Sequence, residues 1–597
     1  MSESISNERL SKRNLWGYSM GGIGRDMAYQ LVNTYLLTFI TFTKGLSNTE
    51  FAMVGVIMVI CRIFDGCNDP FMGSLIEITR TKIGKFKPWI LAGVFTNVAV
   101  IIALFCVPLR GTSYLIFFAF GYLLWGMTYT MNDISYWGMM PSLTSNPGDR
   151  NNLTTLANIG AGVGAGLSVL AIPSLTQGNL AIASNASKSY AIVSIIVCIV
   201  FFVCQIMTVF VVKEKPLPKV RVDDGEKRSL KEMFRVIFKN DQLKPVMAAM
   251  LLYSIGSGIT MALASYWIYY RFAYQGLLVT LFTVISGIST VVIVFFPILC
   301  KKHSRRWISK LSMIMIIVGY LLMFIISLAT GADPKADKVG FNVGEVFIPV
   351  TFIFTGLSGA CAFFGQTLFY QVLTISVANT VEYNEYTTGT RDEGVIFACR
   401  PFTTKLGSAA VVGITTLVVL ALGLNPTNKA ISNADYEAGQ LAIQVEQLVK
   451  DETPNFDSLS KEEQTKLIEA KKKSIETENV AKIEDIIHTN EKTKVAKWQY
   501  QTMFAFMTLL PLLILLGSFA IYFKKYNISE ERYDEICAEI AKRKLAAEGN
   551  AEVVLDGADV NELENDLASS DAETPDEIFE QETAADKISE APDEVEK

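Results

Sequence analysis

The chain has 597 residues, half of them hydrophobic and 19% charged, with a mean hydropathy of +0.32. A soluble chain of this length would carry roughly a quarter charged residues, so an ordinary multidomain soluble protein is excluded. The formal charge of −6 conceals two parts: residues 546–597 hold 18 carboxylates against 2 lysines, which leaves the remainder at +10. A tail of that balance with few aromatics is expected to be disordered. The basic remainder suits an inner-membrane protein, and no nucleic-acid partner is expected.

The two histidines, His303 and His488, lie in polar stretches, and the nine cysteines show no paired spacing. Neither a disulfide framework nor a zinc site is expected. No nucleophile–base pair, metal motif or phosphate loop occurs, so the chain is not expected to be an enzyme, and no cofactor is implied. The N-terminus to Asn14 is polar, and the apolar run after it is too long for a signal-peptide core and lacks a cleavage site, so it is expected to remain as a membrane helix.

In chain order the apolar residues fall into runs of about 20, the length a helix needs to cross a bilayer core. Twelve spans are predicted, at 15–43, 50–77, 88–107, 113–139, 152–176, 189–213, 245–270, 276–300, 307–330, 345–377, 395–424 and 499–524. The connections carrying Arg80, Lys82, Lys85 and Lys87, then Lys213 to Arg228, then Lys301 to Arg306, are strongly basic. Such loops stay in the cytoplasm, which places both termini there. The expected class is an all-α membrane protein of two six-helix halves: 1–14 a cytoplasmic N-terminus, 15–213 the first half, 214–244 a cytoplasmic loop, 245–524 the second half, and 525–597 an acidic, mostly disordered tail. Tyr18-Ser19-Met20-Gly21 and Tyr253-Ser254-Ile255-Gly256, opening spans one and seven, echo each other as repeated halves would. Residues 425–498 form a long polar outer loop with helical stretches around 436–450 and 459–489, expected to be a solvated decoration, with contact to a surface partner or an incoming glycan as the other reading.

Charges within the spans point to function, because each costs about 2.5–3.5 kcal/mol at mid-membrane. In span two, Asp65, Asn68 and Asp69 stand at i, i+3 and i+4, which stacks their oxygens on one helix face. Two carboxylates one turn apart repel in low dielectric and need a proton, a metal cation, or a basic neighbour such as Arg62 or Lys405. A monovalent cation would find several hard oxygens there; an Arg62–Asp65 ion pair that merely pins helices is the structural alternative. In span four, Tyr129, Asp133 and Trp137 recur every four residues, a carboxylate between two aromatic surfaces, which suits a sugar. Thr130 can turn toward the span-two pair. Span one holds Gly21, Gly22 and Gly24 for close helix approach, then Arg25 and Asp26, whose adjacency is expected to point them apart. Lys405 in span eleven needs an acidic partner, for which the first-half carboxylates are the candidates. Arg400 is expected to snorkel to the cytoplasmic face.

Together these segments resemble the glycoside–pentoside–hexuronide:cation symporter family, which has a major-facilitator fold. The resemblance rests on Gly24-Arg25-Asp26, Asp65 through Pro70, Gly84-Lys85-Phe86-Lys87-Pro88-Trp89, Tyr129 through Trp137, Glu382-Tyr383-Asn384-Glu385-Tyr386 and Lys405, over most of 14–424 and 499–535. It implies a cation site at Asp65, Asn68, Asp69 and Thr130, with Asp65 and Asp69 as ligands of the monovalent ion. It implies Asp26 and Asp133 as hydroxyl acceptors for the sugar, with Arg25, Tyr129 and Trp137 around them and Tyr370 as an aromatic wall. Lys405 would link the two regions, and Lys85 and Lys87 would belong to a cytoplasmic gate. The coupling ion is Na+ or H+; keeping both carboxylates and Asn68 favours sodium. Asn158, Pro401 and Arg400 depart from the family pattern near the pocket, so the sugar stays open. The expected partners are a small sugar or glycoside, a monovalent cation and membrane lipid, with the protein monomeric in a bacterial inner membrane. Two other readings stand beside sugar symport: transport of a non-sugar amphiphile by the same fold, and a sugar sensor that transports nothing.

Overall fold

The computed structural model describes residues 10–553 apart from 145–146, 179, 215–229, 273, 290–291, 331–338, 344–345 and 391. The first half comprises α1 (Lys12–Thr43), α2 (Asn48–Ile78), α3 (Lys87–Cys106), α4 (Gly111–Met139), α5 (Pro147–Thr176) and α6 (Ala186–Val211). After a short amphipathic α7 (Leu230–Lys239) come α8 (Leu243–Arg271), α9 (Gly276–Ile288), α10 (Val292–Lys302), α11 (Arg305–Thr330), α12 (Val350–Thr388) and α13 (Glu393–Ala421). Helices α14 (Asn425–Ile443), α15 (Val445–Glu452) and α16 (Lys461–His488) intervene before α17 (Lys497–Lys525) and α18 (Glu530–Val553).

Nine helices among the described residues are long and apolar enough to cross a membrane. Counting α1, α2 and the α9–α10 pair with them gives twelve. Within the expected eighth span, α9 closes on Ser289, whose amide bonds back to the Ser286 and Gly287 carbonyls, and α10 is described from Val292. The tenth begins later than its apolar run, because Val346–Pro349 pairs with Gly340–Val343 as an antiparallel hairpin, and α12 then runs on through Glu382–Tyr386 to a left-handed Gly389 (φ 74°). The tail from 525 is largely helical up to 553, mostly ahead of the acidic stretch that begins at 546. It opens with α18, whose first turn carries Glu530 and Glu531 and whose Glu539–Arg543 pair is spaced i, i+4. The tail from 554 lies outside the described residues.

Helix starts follow local chemistry. Ser47 caps α2 in a reciprocal box with Glu50, and Ser460 does the same for α16 with Glu463. Asn185 caps α6 by accepting from the Lys188 amide. Close approach of α1 and α5 depends on Gly160 and Gly164, where a Cβ would collide with the carbonyl oxygens of Ser19 and Ile23. Gly24 lets α1 approach α6 in the same way, over Phe201. This packing sets the charged turn of α1 against α4, α5 and α6.

The echo between the halves has a structural counterpart. Tyr18 Oη donates to the Tyr136 carbonyl on α4 (2.9 Å), and Tyr253 Oη donates to the Gln366 carbonyl on α12 (3.0 Å). Tyr18 stacks on Tyr136 and Tyr253 on Tyr370, with ring centroids 4.5 and 5.5 Å apart. In each half an opening tyrosine thus locks the helix that carries the central side chains.

The two halves meet along α2 against α13 and α5 against α9. Ion pairs join them midway, and polar pairs join them nearer the end where α14–α16 lie: Thr41 with Tyr266 (2.9 Å), Ser174 with Thr280 (2.8 Å), and Gln177 Nε2 donating to Tyr274 Oη (2.9 Å). That end is called the capped end below, and the end bearing Lys85, Lys87, Lys301 and Arg305 the basic end.

Residues 425–498 are not a mere solvated decoration. Nine of the nineteen residues of α14 are buried, because its polar groups are spent on the membrane helix ends. Asp435 accepts from the Ala186 and Ser187 amides at the start of α6 (2.6 and 3.2 Å). Arg110 Nη2 donates to the carbonyl and hydroxyl of Ser432 and to Asn433, and its guanidinium lies 4.4 Å from the Tyr436 ring centre. Asn425 donates to the Leu46 carbonyl, and Tyr270 Oη is 2.6 Å from Asn428 Oδ1. Helix α14 therefore bonds to both halves.

Candidate transport site

Two charge clusters lie near the middle of the bundle, one between the halves and one within the first half. In the first, α2 and α13 bring the Lys405 ammonium onto two carboxylates: Nζ is 3.0 Å from Asp65 Oδ2 and 2.8 and 2.6 Å from the two oxygens of Asp69. Thr130 of α4 donates to Asp65 (2.6 Å) and lies 3.4 Å from Asp69. The repulsion written into the α2 sequence is relieved by a cation from the other half. Asn68 is half-buried and, among the described residues, makes none of these bonds. Arg62 does not pair with Asp65: it donates to Tyr122 Oη (2.9 Å) and Ser408 Oγ (3.2 Å), so the alternative of an Arg62–Asp65 pin is replaced by a second polar tie between α2 and α13.

The second cluster lies wholly in the first half. Arg25, 3% exposed, chelates its own neighbour Asp26 through Nε and Nη2 (3.0 and 2.5 Å), and its Nη1 stands 2.9 Å from Asp133 on α4. The expectation that Arg25 and Asp26 point apart is therefore wrong. The long guanidinium folds back to its neighbour because packing over Tyr136 and Trp137, each 4.8 Å from it, leaves no other exit. Nη1 of this buried guanidinium has the Asp133 ion pair but no aligned hydrogen-bond partner. Tyr129 continues the wall, tilted against Tyr29 and stacked with Trp125 at centroid distances of 5.1 and 5.8 Å.

From the second half Tyr370 supplies a further aromatic surface. Arg400 does not snorkel: from α13, five residues before Lys405, its Nη2 donates to Tyr370 Oη on α12 (2.7 Å). Lys85 and Lys87 lie apart, at the basic end. Their amides donate to Glu214 (3.0 and 3.2 Å), and Lys87 Nζ donates to the Val212 carbonyl (2.6 Å), so they bind the α2–α3 connection to the end of α6 within one half. Sequence reasoning missed Tyr18, Tyr136, Tyr122 and Ser408, which position the charged groups. The tyrosine echo signalled Tyr18; Tyr136, Tyr122 and Ser408 look like ordinary helix residues until the helices are packed together.

Residues 17–443 match the family described as MFS/sugar transport protein. The chain is 26% identical over 437 residues to a raffinose carrier protein of Pediococcus pentosaceus, covering 71% of this chain and 64% of the relative. It is 28% identical over 440 residues to a lactose permease of Lactobacillus delbrueckii subsp. bulgaricus, covering 72% and 66%. An isoprimeverose transporter of Lactiplantibacillus pentosus is 25% identical over 414 residues, covering 68% and 80%. The chain thus spans just under two thirds of the length of the first two relatives. In fold it is similar to a crystal structure of the nucleoside transporter NupG, at a TM-score of 0.50 and 13% identity over 85% of this chain and 100% of that one.

Proposed function

The chain belongs to the MFS/sugar transport protein family and is a multi-pass membrane protein; from that membership we propose that it moves a glycoside, oligosaccharide or related sugar across a bacterial plasma membrane by cation-coupled symport. The basic end then faces the cytoplasm, with both termini. The relatives' names, a raffinose carrier and lactose and isoprimeverose transporters, support a sugar as solute.

The observation that carries the mechanism is the seating of Lys405, from one half, on Asp65 and Asp69 of the other. A coupling cation, Na+ or H+, competes with this ammonium for the same carboxylates and Thr130. When it binds, the lysine tie between α13 and α2 is released. Thr130 lies one turn from Asp133 on α4, so the change reaches the sugar cluster through one helix. The sugar binds through hydroxyl pairs at Asp26 and Asp133, an oxygen at Arg25, and ring faces on Trp137, Tyr129 and Tyr370. Linkage requires each ligand to tighten the other equally, by about 1–3 kcal/mol. Lys85 and Lys87 act at the basic end, where the loop they anchor closes the path to the cytoplasm.

The test is uptake of labelled sugars into proteoliposomes with sodium, lithium or proton gradients imposed separately. Asp69→Asn should abolish gradient-driven accumulation while leaving sugar exchange. Unchanged accumulation rules the cation assignment out, and sugar binding without counterflow would identify a sensor instead.

A further inference from the structure

The polar pairs that span the capped end surround an aromatic contact between the halves. Phe42, in the last turn of α1, is wholly buried, and its ring packs against the second half. It meets Tyr266, Tyr269 and Tyr270 on α8 and Tyr274 just beyond, at ring-centroid distances of 5.8, 5.6, 6.0 and 5.0 Å. All four tyrosines are buried. The last three stand nearly edge to face with the phenylalanine, an arrangement aromatic rings favour.

This tyrosine cup is held by bonds to its surroundings. Thr41 donates to the Leu37 carbonyl, so the Tyr266 hydroxyl donates to Thr41. Tyr270 Oη donates to Asn428 of the cap, and its carbonyl accepts from Tyr500 Oη (2.8 Å). Tyr274 accepts from Gln177 and is one of two non-glycine residues with positive φ among those described, at 66°. A bulky residue in that region is strained, and a 2.8 Å bond from its amide to the Tyr269 carbonyl helps keep it there. Beside the cup, Gly276 lets α9 approach α5, since a Cβ would strike the Pro173 carbonyl oxygen, and Ser174 meets Thr280.

The polar and aromatic parts of this contact respond differently when the halves part. A hydroxyl or amide exchanges its partner for water at little net cost. The Phe42 ring has no such replacement, because it leaves four aromatic neighbours and its apolar surface must be hydrated. It lies about 24 Å along α1 beyond Asp26 on the rise of an α-helix, between the central clusters and the capped surface.

We infer that Phe42 is the plug of a gate at the capped end. Its withdrawal from the tyrosine cup opens the central site to the outside, and its seating limits how often that happens. The purpose of the gate rests on the transport reading, whereas its place rests on the contacts between the halves.

The test uses the full-length protein in right-side-out membrane vesicles. Ser174→Cys with Thr280→Cys, once oxidised, should stop uptake of labelled lactose and raffinose, and reduction should restore it, a recovery that a misfolded chain cannot show. Phe42→Ala should lower the apparent dissociation constant for external sugar roughly tenfold, because the outward-open fraction rises. An impermeant maleimide added outside should label Phe42→Cys, read on its own peptide by mass spectrometry, and should fail to do so once the 174–280 bridge has formed. Uptake at the full rate through bridged protein, or external affinity unchanged or weakened in Phe42→Ala, overturns the gate and leaves sugar transport standing. Labelling of Phe42→Cys that ignores the bridge overturns the gate as well. A wild type that takes up neither sugar overturns the sugar reading alone, and the maleimide result then decides the gate.

Discussion

The centre of the molecule and its cap both bury polar groups between the two halves, yet they are bonded in different ways. In the centre, charged side chains meet charged side chains: Lys405 with Asp65 and Asp69, Arg25 with Asp26 and Asp133. At the cap, side chains mostly meet backbone: Asp435 on two amides, Arg110 and Asn425 on carbonyls. A side-chain ion pair can exchange one cation for another without disturbing a helix. A carboxylate on the start of α6 cannot leave without exposing amides that have no other partner. Under the proposed function the centre trades partners and the cap holds, and alternating access between the halves would work against the cap bonds that α14 makes to the first half.

The strongest way to break this contrast is to remove the exchangeable cation. Lys405→Ala leaves two carboxylates facing each other and should destabilise the protein by about 3–5 kcal/mol in cation-free buffer. Sodium should restore much of that loss, making the melting temperature of the variant sodium-dependent where that of the wild type is nearly flat. A variant insensitive to every monovalent cation would show that Lys405 is structural. Next, Asp133→Asn removes a charged acceptor worth about 1.5–3 kcal/mol, and sugar affinity should fall on the order of 10- to 100-fold in binding assays with the fold intact.

Removing the cap's anchor should have a smaller, conformational effect. Asp435→Ala strips the Ala186 and Ser187 amides of their acceptor, a loss of about 1–2 kcal/mol for a helix cap. Hydrogen exchange should rise at the start of α6 and along α14 but not near Lys405. Burial also pushes the Asp435 carboxyl up to about 6, against the opposing pull of the Ala186 and Ser187 amides and of Arg110. The docked cap then holds its proton more tightly than an undocked one, whose Asp435 titrates near the ordinary aspartate value. Stability should therefore fall as pH rises from about 4 to 6 and level off above. Melting curves across that window should show this step in the wild type and lose it in Asp435→Asn. Smallest of all, Tyr370→Phe removes only the Arg400 bond, and sugar affinity should drop a few-fold, about 1 kcal/mol.

The repeated apolar runs, the basic connections and the spacing of Asp65, Asp69, Asp133 and Trp137 were legible because each is a local, periodic property of the chain. The hairpin before α12 was not. Val346–Pro349 is as apolar as the helix it precedes, and only its pairing with Gly340–Val343 makes it a strand. Composition suggested a solvated outer loop, since charge on α16 masks how much of α14 is committed to α6 and Arg110.

By itself the sequence determined a membrane protein in two halves with buried acids on α1, α2 and α4, because hydropathy and periodicity are carried by neighbours in the chain. Partner choice needed the tertiary structure. Arg62 could have served Asp65, and Arg25 could have turned from Asp26. Helix packing instead brought Lys405 to the α2 carboxylates and Tyr122 to Arg62, over 300 and 60 residues away. The pairing of a buried charge depends on what the fold sets within about 3 Å of it, and spacing along one helix cannot supply that.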